Sequence, residues 1–273
     1  MRILSVAVSA ALATFAFSQF ASAADMPVKA APAPIVAPVY NWTGFYVGLN
    51  AGAVFGHAEN ATTTVFSPTG YFATTSVPAI AAVGNPSMDQ TGFTGGIQLG
   101  YNWQFNSNAV LGIETDFGYM GMNTSAFTGA VYPCCAPTAF AISQSAKTDW
   151  VWTLRPRLGW AVNNWMIYFT GGLAVTQVKG DFIFTDTFAT AHESASISET
   201  RAGWAVGGGL EYAYAGPWTV KVEYLHLDFG TVSATSTNLT AFTPPIAFPT
   251  NVFTHSIKVT DDIVRVGLNY RFR

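Results

Sequence analysis

Nine charged residues lie at alternating positions of short segments, and their spacing decides what chemistry they could perform. Glu114 and Asp116 are two residues apart, as are Arg155 and Arg157, and such pairs point to the same side of a β-strand. Acids and bases enclosed together would form ion pairs, because an unpaired buried charge costs about 3–5 kcal/mol. If the strands that carry them close into a barrel, these residues form a charge network in its lumen. The predicted lumen charge network consists of Glu114, Asp116, Arg155, Arg157, Glu211, Lys221, Glu223, Arg265 and Arg271.

The heights of these residues on neighbouring strands suggest their partners. An alternative is that they form salt bridges on an exposed sheet face. That arrangement would leave the aromatic opposite faces in need of a second layer, and no helix or second sheet in the sequence supplies one. We expect Glu114 and Asp116 to face Arg157 and Arg155, Glu211 to face Lys221, and Glu223 to face Arg265.

Catalytic, metal and cofactor sites are not predicted. A pair formed by His226 and Asp228 beside loop serines could imitate a hydrolase at the barrel rim, but this spacing is common by chance. The histidines lack metal-ligand spacing, and no phosphate-binding or dinucleotide-binding fingerprint is present. Adjacent Cys134 and Cys135 exclude a long-range disulfide framework. A vicinal disulfide, two free thiols and intermolecular pairing remain open.

The charged residues require strands to position them, and period-two patterning predicts eight. Short Asn- and Gly-containing turns follow the second, fourth and sixth strands, at 106–108, 163–164 and 215–217. Long segments follow the others, at 56–90, 121–147, 180–200 and 230–260. This long/short alternation is typical of an outer-membrane barrel with four long extracellular loops and three short periplasmic turns. The predicted strands are about 43–55, 91–105, 109–120, 148–162, 165–179, 201–214, 218–229 and 261–272.

Composition and the first residues indicate export rather than a cytoplasmic enzyme. Of 273 residues, 50% are hydrophobic and 10% charged, against about 25% charged in an average soluble domain. The net charge of -3 gives no basic patch for nucleic acid. Residues 1–23 resemble a cleavable signal peptide ending in Ala21-Ser22-Ala23. We expect a Pro/Ala-rich periplasmic linker over 24–40, a barrel over 41–273 and a location in the outer membrane of a Gram-negative cell.

The aromatic residues indicate which face meets lipid. A lipocalin-like soluble barrel would enclose the apolar face, whereas in a membrane barrel that face points outward. Aromatic residues collect at both ends of the predicted strands, as in the girdles of membrane barrels. We therefore expect Phe45, Val47 and Leu49 to face lipid, and Tyr46 and Gly48 to face the lumen. The predicted girdle includes Trp42, Trp103, Trp150, Trp152, Trp160, Trp165, Trp204 and Trp218.

Two terminal motifs resemble those of a known family. The Pro/Ala linker ending in VYNWTGFYVGLNAG and the closing VRVGLNYRF are similar to the small outer-membrane immunogenic, or porin-family, β-barrel proteins of alphaproteobacteria. The resemblance implies an eight-stranded antiparallel transmembrane up-and-down barrel like that of outer membrane protein A. It also implies a major surface antigen that contributes to envelope integrity. Arg265, Gly267, Tyr270 and Phe272 match the C-terminal signal read by the barrel-assembly machinery.

These observations favour a structural, surface-exposed barrel whose lumen is largely closed by paired charges. We expect it to contact outer-membrane lipid and the assembly machinery, and its loops to be available to host or surface ligands. A narrow porin for ions or small solutes is the main alternative, because lumen pairs can rearrange. A soluble ligand-binding barrel is a third hypothesis.

Overall fold

The computed structural model describes residues 40–272. The predicted signal peptide and all but the last residue of the predicted linker lie outside the described residues. One helix, α1, spans Ser76–Val83, and no helix within residues 40–272 is long and apolar enough to cross a membrane. The strands are β1 Gly44–Thr64, β2 Ser87–Gln104, β3 Ala109–Val131, β4 Ala139–Val162, β5 Trp165–Asp186, β6 His192–Ala215, β7 Trp218–Ser236, β8 Thr240–Ala241, β9 Ile246–Ala247 and β10 Phe253–Arg271.

Eight long antiparallel strands close into a ring, as predicted. Each of β1 to β6 pairs with the next strand along the chain, and β10 pairs with both β7 and β1. Strand β1 is held on one side by β2 and on the other by β10, with Leu49 opposite both Ile97 and Leu268. The two-residue strands β8 and β9 lie outside the ring, in the β7–β10 connection.

The three short turns are confirmed. Strand β4 passes to β5 through residues 163–164, and β6 passes to β7 through 216–217. Asn163 has φ 53° and Gly216 has φ 54°, the left-handed conformation that tight hairpin turns require. All three turns lie at one end of the ring, which we name the turn end; the opposite end is the loop end.

The four segments expected to be long loops begin and end with strand, and 121–147 and 180–200 are mostly strand, so their predicted bounds were wrong. Strand β4 begins at Ala139 and β5 continues to Asp186, well beyond the predicted limits of 148 and 179. Their residues carry on the antiparallel ladder, for example between Phe140 and Asp186. The connections that remain outside the eight ring strands are 65–86, 132–138, 187–191 and 237–252.

The polarity of the two strand faces reverses partway along each strand. On β1, Phe45, Val47 and Leu49 are exposed, whereas Tyr46 is buried, which confirms the predicted orientation. Farther along β1, the buried positions become apolar and the exposed ones polar. On β10 the exposed residues change in the same way, from Leu268 near the turn end to Lys258 near the loop end.

We call the part of the ring with apolar outward residues the turn half, which on β1 extends from Phe45 to Phe55. The remainder, from Gly56 to Thr64 on β1, is the loop half. Most of the exposed tryptophans and tyrosines lie toward the edges of the apolar belt that surrounds the turn half. Seven of the eight predicted girdle tryptophans are on the outward face, namely Trp103, Trp150, Trp152, Trp160, Trp165, Trp204 and Trp218.

Trp42 is the exception, and its assignment to the girdle was wrong. Its side chain is 1% exposed and packs at the turn end of the lumen with Met166 and Val110. The chain reaches this position through Gly44, whose φ of 139° is a conformation that favours glycine. Position 42 has the same parity as the buried Tyr46, so Trp42 lies on the inward side of the chain and not on the lipid face.

Candidate functional site

The predicted charge network occupies the lumen of the turn half, and Glu114 lies at its centre. The Lys221 Nζ lies 2.8 Å from both Glu114 carboxylate oxygens. Arg155 donates to the same carboxylate at 3.0 Å, and the Arg157 guanidinium is 3.5 Å away. All four side chains are buried. Glu114 therefore receives three cations from strands β4 and β7.

Two further acids, Asp116 and Glu223, each accept hydrogen bonds from both Arg155 and Arg265. Asp116 accepts hydrogen bonds from Arg155 at 2.8 Å and from Arg265 at 2.9 Å. Glu223 accepts from the Arg265 Nε at 2.7 Å and from Arg155 at 3.3 Å. Each of these arginines thus bridges at least two carboxylates, as the planar guanidinium with five donors allows.

The expected pairing of Glu211 with Lys221 does not form. The two residues lie opposite each other on β6 and β7, but Lys221 reaches across the lumen to Glu114. Glu211 instead accepts from Arg157 at 2.7 Å. An eight-stranded barrel is narrow enough for long side chains to span its interior, so partners are chosen across the lumen as well as along the wall.

Arg271, the remaining member of the predicted network, lies at the turn end of the lumen. Its guanidinium carbon is 4.1 Å from the centre of the Tyr40 ring, a distance suited to a cation–π contact. Arg265 and Gly267 of the predicted assembly signal face the lumen, whereas Tyr270 and Phe272 are exposed on the opposite face. The tyrosine and phenylalanine rings pack together with centroids 5.3 Å apart.

Two tyrosines complete the network, and charge patterning alone missed them. Tyr46 donates to Glu114 at 2.7 Å, and Tyr168 donates to Glu223 at 3.0 Å. The guanidinium of Arg157 also lies over the Tyr168 ring, 3.8 Å from its centre. Their inward alternation on β1 and β5 was the available signal. Gly100 leaves space for the first ring, because a Cβ there would lie 2.3 Å from Tyr46 Cζ.

Three buried amide side chains extend the hydrogen-bond network. Asn50 donates to Gln98 at 3.0 Å, and Gln98 donates to Asn269 at 2.5 Å. Asn269 in turn donates to Glu211 at 3.1 Å. This chain links strands β1, β2, β10 and β6 and joins the amides to the charged residues.

The lumen of the loop half is filled by apolar side chains. Several buried polar groups interrupt this filling, and among them is Asp261, neither of whose carboxylate oxygens has a hydrogen-bond partner. The rest of this interior resembles the core of a soluble barrel. The buried apolar cluster begins at the boundary of the two halves and continues through the loop half; its members include Val54, Met120, Met122, Val151, Val178, Phe182, Leu225, Leu227, Phe229, Ile257, Val259 and Ile263.

Histidines in the loop half do not form the arrangement considered for catalysis. His226 Nδ1 is 2.8 Å from Asp262, whereas Asp228 accepts from the Gly230 amide. His255 is fully buried, 2.9 Å from the Thr62 hydroxyl and 3.2 Å from Glu193. No group of three or more His, Cys, Asp or Glu side chains within residues 40–272 is placed to hold a metal ion.

A cluster of aromatic side chains caps the loop end, and Asp186 lies within it. This carboxylate accepts from the hydroxyls of Tyr71 at 2.5 Å and Tyr132 at 3.0 Å. Burial, together with Asp186, raises the pKa of both tyrosines above the usual value, so both phenols remain protonated donors. Nearby, Cys134 and Cys135 form a vicinal disulfide, which selects one of the three alternatives left open by the sequence.

Comparisons with known proteins agree with this architecture. The family model described as "Outer membrane protein beta-barrel domain" matches residues 7–272. The 31 kDa outer-membrane immunogenic protein of Brucella melitensis is 36% identical over 261 residues, covering 94% of this chain and 95% of the relative. The 25 kDa outer-membrane immunogenic protein of Brucella abortus is 26% identical over 268 residues, covering 98% and 97%.

A more distant similarity links the chain to a solved structure. The outer membrane protease OmpT of Escherichia coli has a TM-score of 0.40 and 8% identity, covering 87% of this chain and 99% of the protease. A similarity of this size carries no inference about proteolysis.

Proposed function

The chain belongs to the outer membrane protein beta-barrel domain family, and on that premise we propose that it is a structural, surface-exposed barrel with a closed lumen. Its role is to contribute to the integrity of the outer membrane rather than to catalyse a reaction. The apolar belt of the turn half contacts lipid, and the loop end projects from the cell. In this orientation the three short turns face the periplasm.

The observation that carries this proposal is the filling of the lumen in both halves. In the turn half, Arg155, Lys221 and Glu223 are fully buried and hydrogen-bonded across the interior. In the loop half, Met122 and Leu227 are equally buried among other apolar side chains. A solute that entered from either end would have to displace both an ion-pair network and an apolar core.

A narrow channel is the second candidate, and one residue favours it. The unpartnered carboxylate of Asp261 lies in the apolar loop half, above the charge network. A lumen acid is a common element of cation-conducting pores. Rearrangement of the ion pairs in the turn half would then open a path for cations through the lumen.

Planar-bilayer recording of the purified, refolded protein tests the two candidates. A closed barrel gives no steady conductance, and Arg155→Lys remains silent because the apolar loop half still blocks the path. A steady wild-type conductance that changes with Arg155→Lys or Asp261→Asn would contradict the closed lumen. A general porin recorded in the same membrane serves as the positive control.

The envelope role requires a separate test in cells. Deletion of the gene should increase sensitivity to detergents and to large antibiotics, and the wild-type gene should restore resistance. Normal resistance in the deletion strain would contradict the proposed role. Surface exposure, suggested by the immunogenic relatives, predicts that antibodies against segment 65–86 label intact cells.

Assembly is also part of the proposal. The barrel-assembly machinery would recognise the last strand through Tyr270 and Phe272, whose rings are exposed side by side on the lipid face. Replacing Phe272 with Ser should lower the amount of folded protein in the outer membrane without changing the stability of the refolded protein. Equal amounts of both proteins in the membrane would contradict this recognition.

A further inference from the structure

A cavity of about 340 Å³ lies within the cap at the loop end. Three separate connections form its walls, namely those from β1 to β2, from β3 to β4 and from β5 to β6. Its volume is within the roughly 300–1,000 Å³ typical of small-molecule sites. The residues that carry the argument are Tyr71, Phe72, Tyr132, Phe188, Cys134 and Cys135.

Four aromatic rings line this single cavity. The Tyr71 ring meets Phe72 edge-on at 5.2 Å and Phe188 edge-on at 6.1 Å between centroids. The Tyr132 ring packs on the buried Phe140 at 4.9 Å, which fixes the opposite wall. The faces of aromatic rings carry negative electrostatic potential and attract cations, and quaternary ammonium groups are commonly bound by such cages.

A carboxylate lies behind two of these rings. The hydroxyls of Tyr71 and Tyr132 both donate to the Oδ2 atom of Asp186, while its Oδ1 atom accepts from the Ala191 amide at 2.8 Å. These contacts hold the phenols with their rings lining the cavity. They also place an acid next to a site that has room for a positive charge.

No competing cation lies in the connections that surround the cavity. The segments 65–86, 132–138, 187–191 and 237–252 contain neither lysine nor arginine. An anionic ligand would therefore find no positive partner in these segments. The vicinal disulfide of Cys134 and Cys135 adds a further apolar wall, which suits methyl groups.

We propose that this cavity binds the quaternary ammonium group of a small organic cation such as choline, through the rings of Tyr71, Phe72, Tyr132 and Phe188. The binding is independent of whether the barrel conducts. The same group could come from a free solute or from the headgroup of a phosphatidylcholine in an apposed membrane. Both sources share the chemistry that the cage recognises.

Isothermal titration of the refolded protein, in a detergent without an ammonium headgroup, provides the main test. Choline should bind at least tenfold more tightly than 3,3-dimethyl-1-butanol, which has the same shape but carbon in place of the charged nitrogen. Equal affinities would overturn the proposal, since they would indicate an apolar pocket only. The absence of choline binding at millimolar concentration, or binding of glucose instead of choline, would overturn it as well.

Two variants locate the binding. Phe188→Leu should weaken choline binding about fivefold or more, whereas Phe127→Leu, an exposed phenylalanine outside the cavity, should leave it unchanged. Asp186→Asn should weaken choline binding but not binding of the neutral analogue. Equal choline affinity for wild type and Phe188→Leu would place the ligand elsewhere and contradict the assignment.

A flotation assay distinguishes the two sources. Protein in nanodiscs should float with added phosphatidylcholine vesicles, but not with phosphatidylglycerol vesicles, if a lipid headgroup reaches the cavity. Binding of choline without flotation supports a free solute. Flotation with both kinds of vesicle that choline does not inhibit would contradict recognition of the ammonium group.

Discussion

The two halves of the barrel are built from the same eight strands but are surrounded by different media. In the turn half the surroundings are lipid, so apolar residues such as Leu49 and Leu268 face outward and charges fill the lumen. In the loop half the surroundings are water, so His57 and Lys258 face outward and Phe182 and Leu227 fill the interior. The side of the strand that is buried does not change; only the polarity of the residues on each side does.

The difference shows that solvent, rather than strand geometry, determines which residues belong inside. An interior surrounded by a lipid-facing wall can hold ionised groups only when each is paired, because an isolated buried charge is costly. An interior beneath a water-facing wall is stabilised by apolar burial at about 25 cal/mol per Å². One polypeptide therefore contains a membrane barrel and a soluble-type barrel end to end.

The largest effect on stability is expected from removing one negative charge from the ion-pair network of the turn half. Glu114→Gln leaves Arg155, Arg157 and Lys221 without their shared acid, and should lower the free energy of unfolding by about 3–5 kcal/mol. Equilibrium urea unfolding in lipid vesicles measures the change. A loss below about 1 kcal/mol would mean that water solvates these cations, and the lumen would then not be closed.

Truncation in the loop half should have a comparable but somewhat smaller effect. Leu227→Ala removes buried methyl groups and leaves a cavity, which should cost about 2–5 kcal/mol in the same unfolding experiment. Leu158→Ala is the control, because lipid chains fill the space at this exposed position of the turn half. If both variants lost the same stability, the loop half would not behave as a packed core.

The polarity reversal itself can be tested on one strand. Leu268 and Thr254 both point outward on β10, fourteen residues apart, the first in the apolar belt and the second in the loop half. Leu268→Arg should cost about 2–4 kcal/mol, as charges do near the middle of a bilayer. Thr254→Arg should stay within about 0.5 kcal/mol. Equal effects would contradict the assignment of the two halves to lipid and water.

The smallest effect is expected for an ion pair on the outer surface of the loop half. Asp149 lies 3.0 Å from Lys147 and 2.9 Å from Lys179, with all three side chains partly exposed to solvent. Asp149→Asn should cost less than about 1 kcal/mol, and less still at high salt. A loss as large as that of Glu114→Gln would show that burial is not what strengthens the lumen pairs.

Sequence patterning predicted the turn half well because the contrast between its faces is strong. Large apolar residues alternate with Gly, Asn and charged residues, so the strands, the short turns and the outward face of Phe45 could all be derived. The loop half alternates with the opposite polarity and a weaker contrast, in Ala, Thr and Ser. Alternation with the apolar residues on one constant side therefore stops at the reversal, and the remainder of each strand has the composition of a loop.

Residue patterns do not predict which side chains pair in the lumen or which of them meet in the cap. The choice of Glu114 rather than Glu211 by Lys221 depends on strand tilt and on the width of the ring, which alternation does not encode. Trp42 was assigned to the girdle by its residue type, although its position has the inward parity of Tyr46. The cavity that brings Tyr71 near Tyr132 joins connections that are about sixty residues apart in the sequence.

The length of the strands fixes how far the cap stands above the bilayer. From Asp149, just beyond the belt, β4 continues ten residues to Ala139. At about 3.3 Å per residue and a tilt of about 40°, this gives a height of about 25 Å. A phospholipid in the same membrane therefore cannot bring its headgroup to the cap. Only molecules that arrive from the medium or from a facing surface meet this end of the protein.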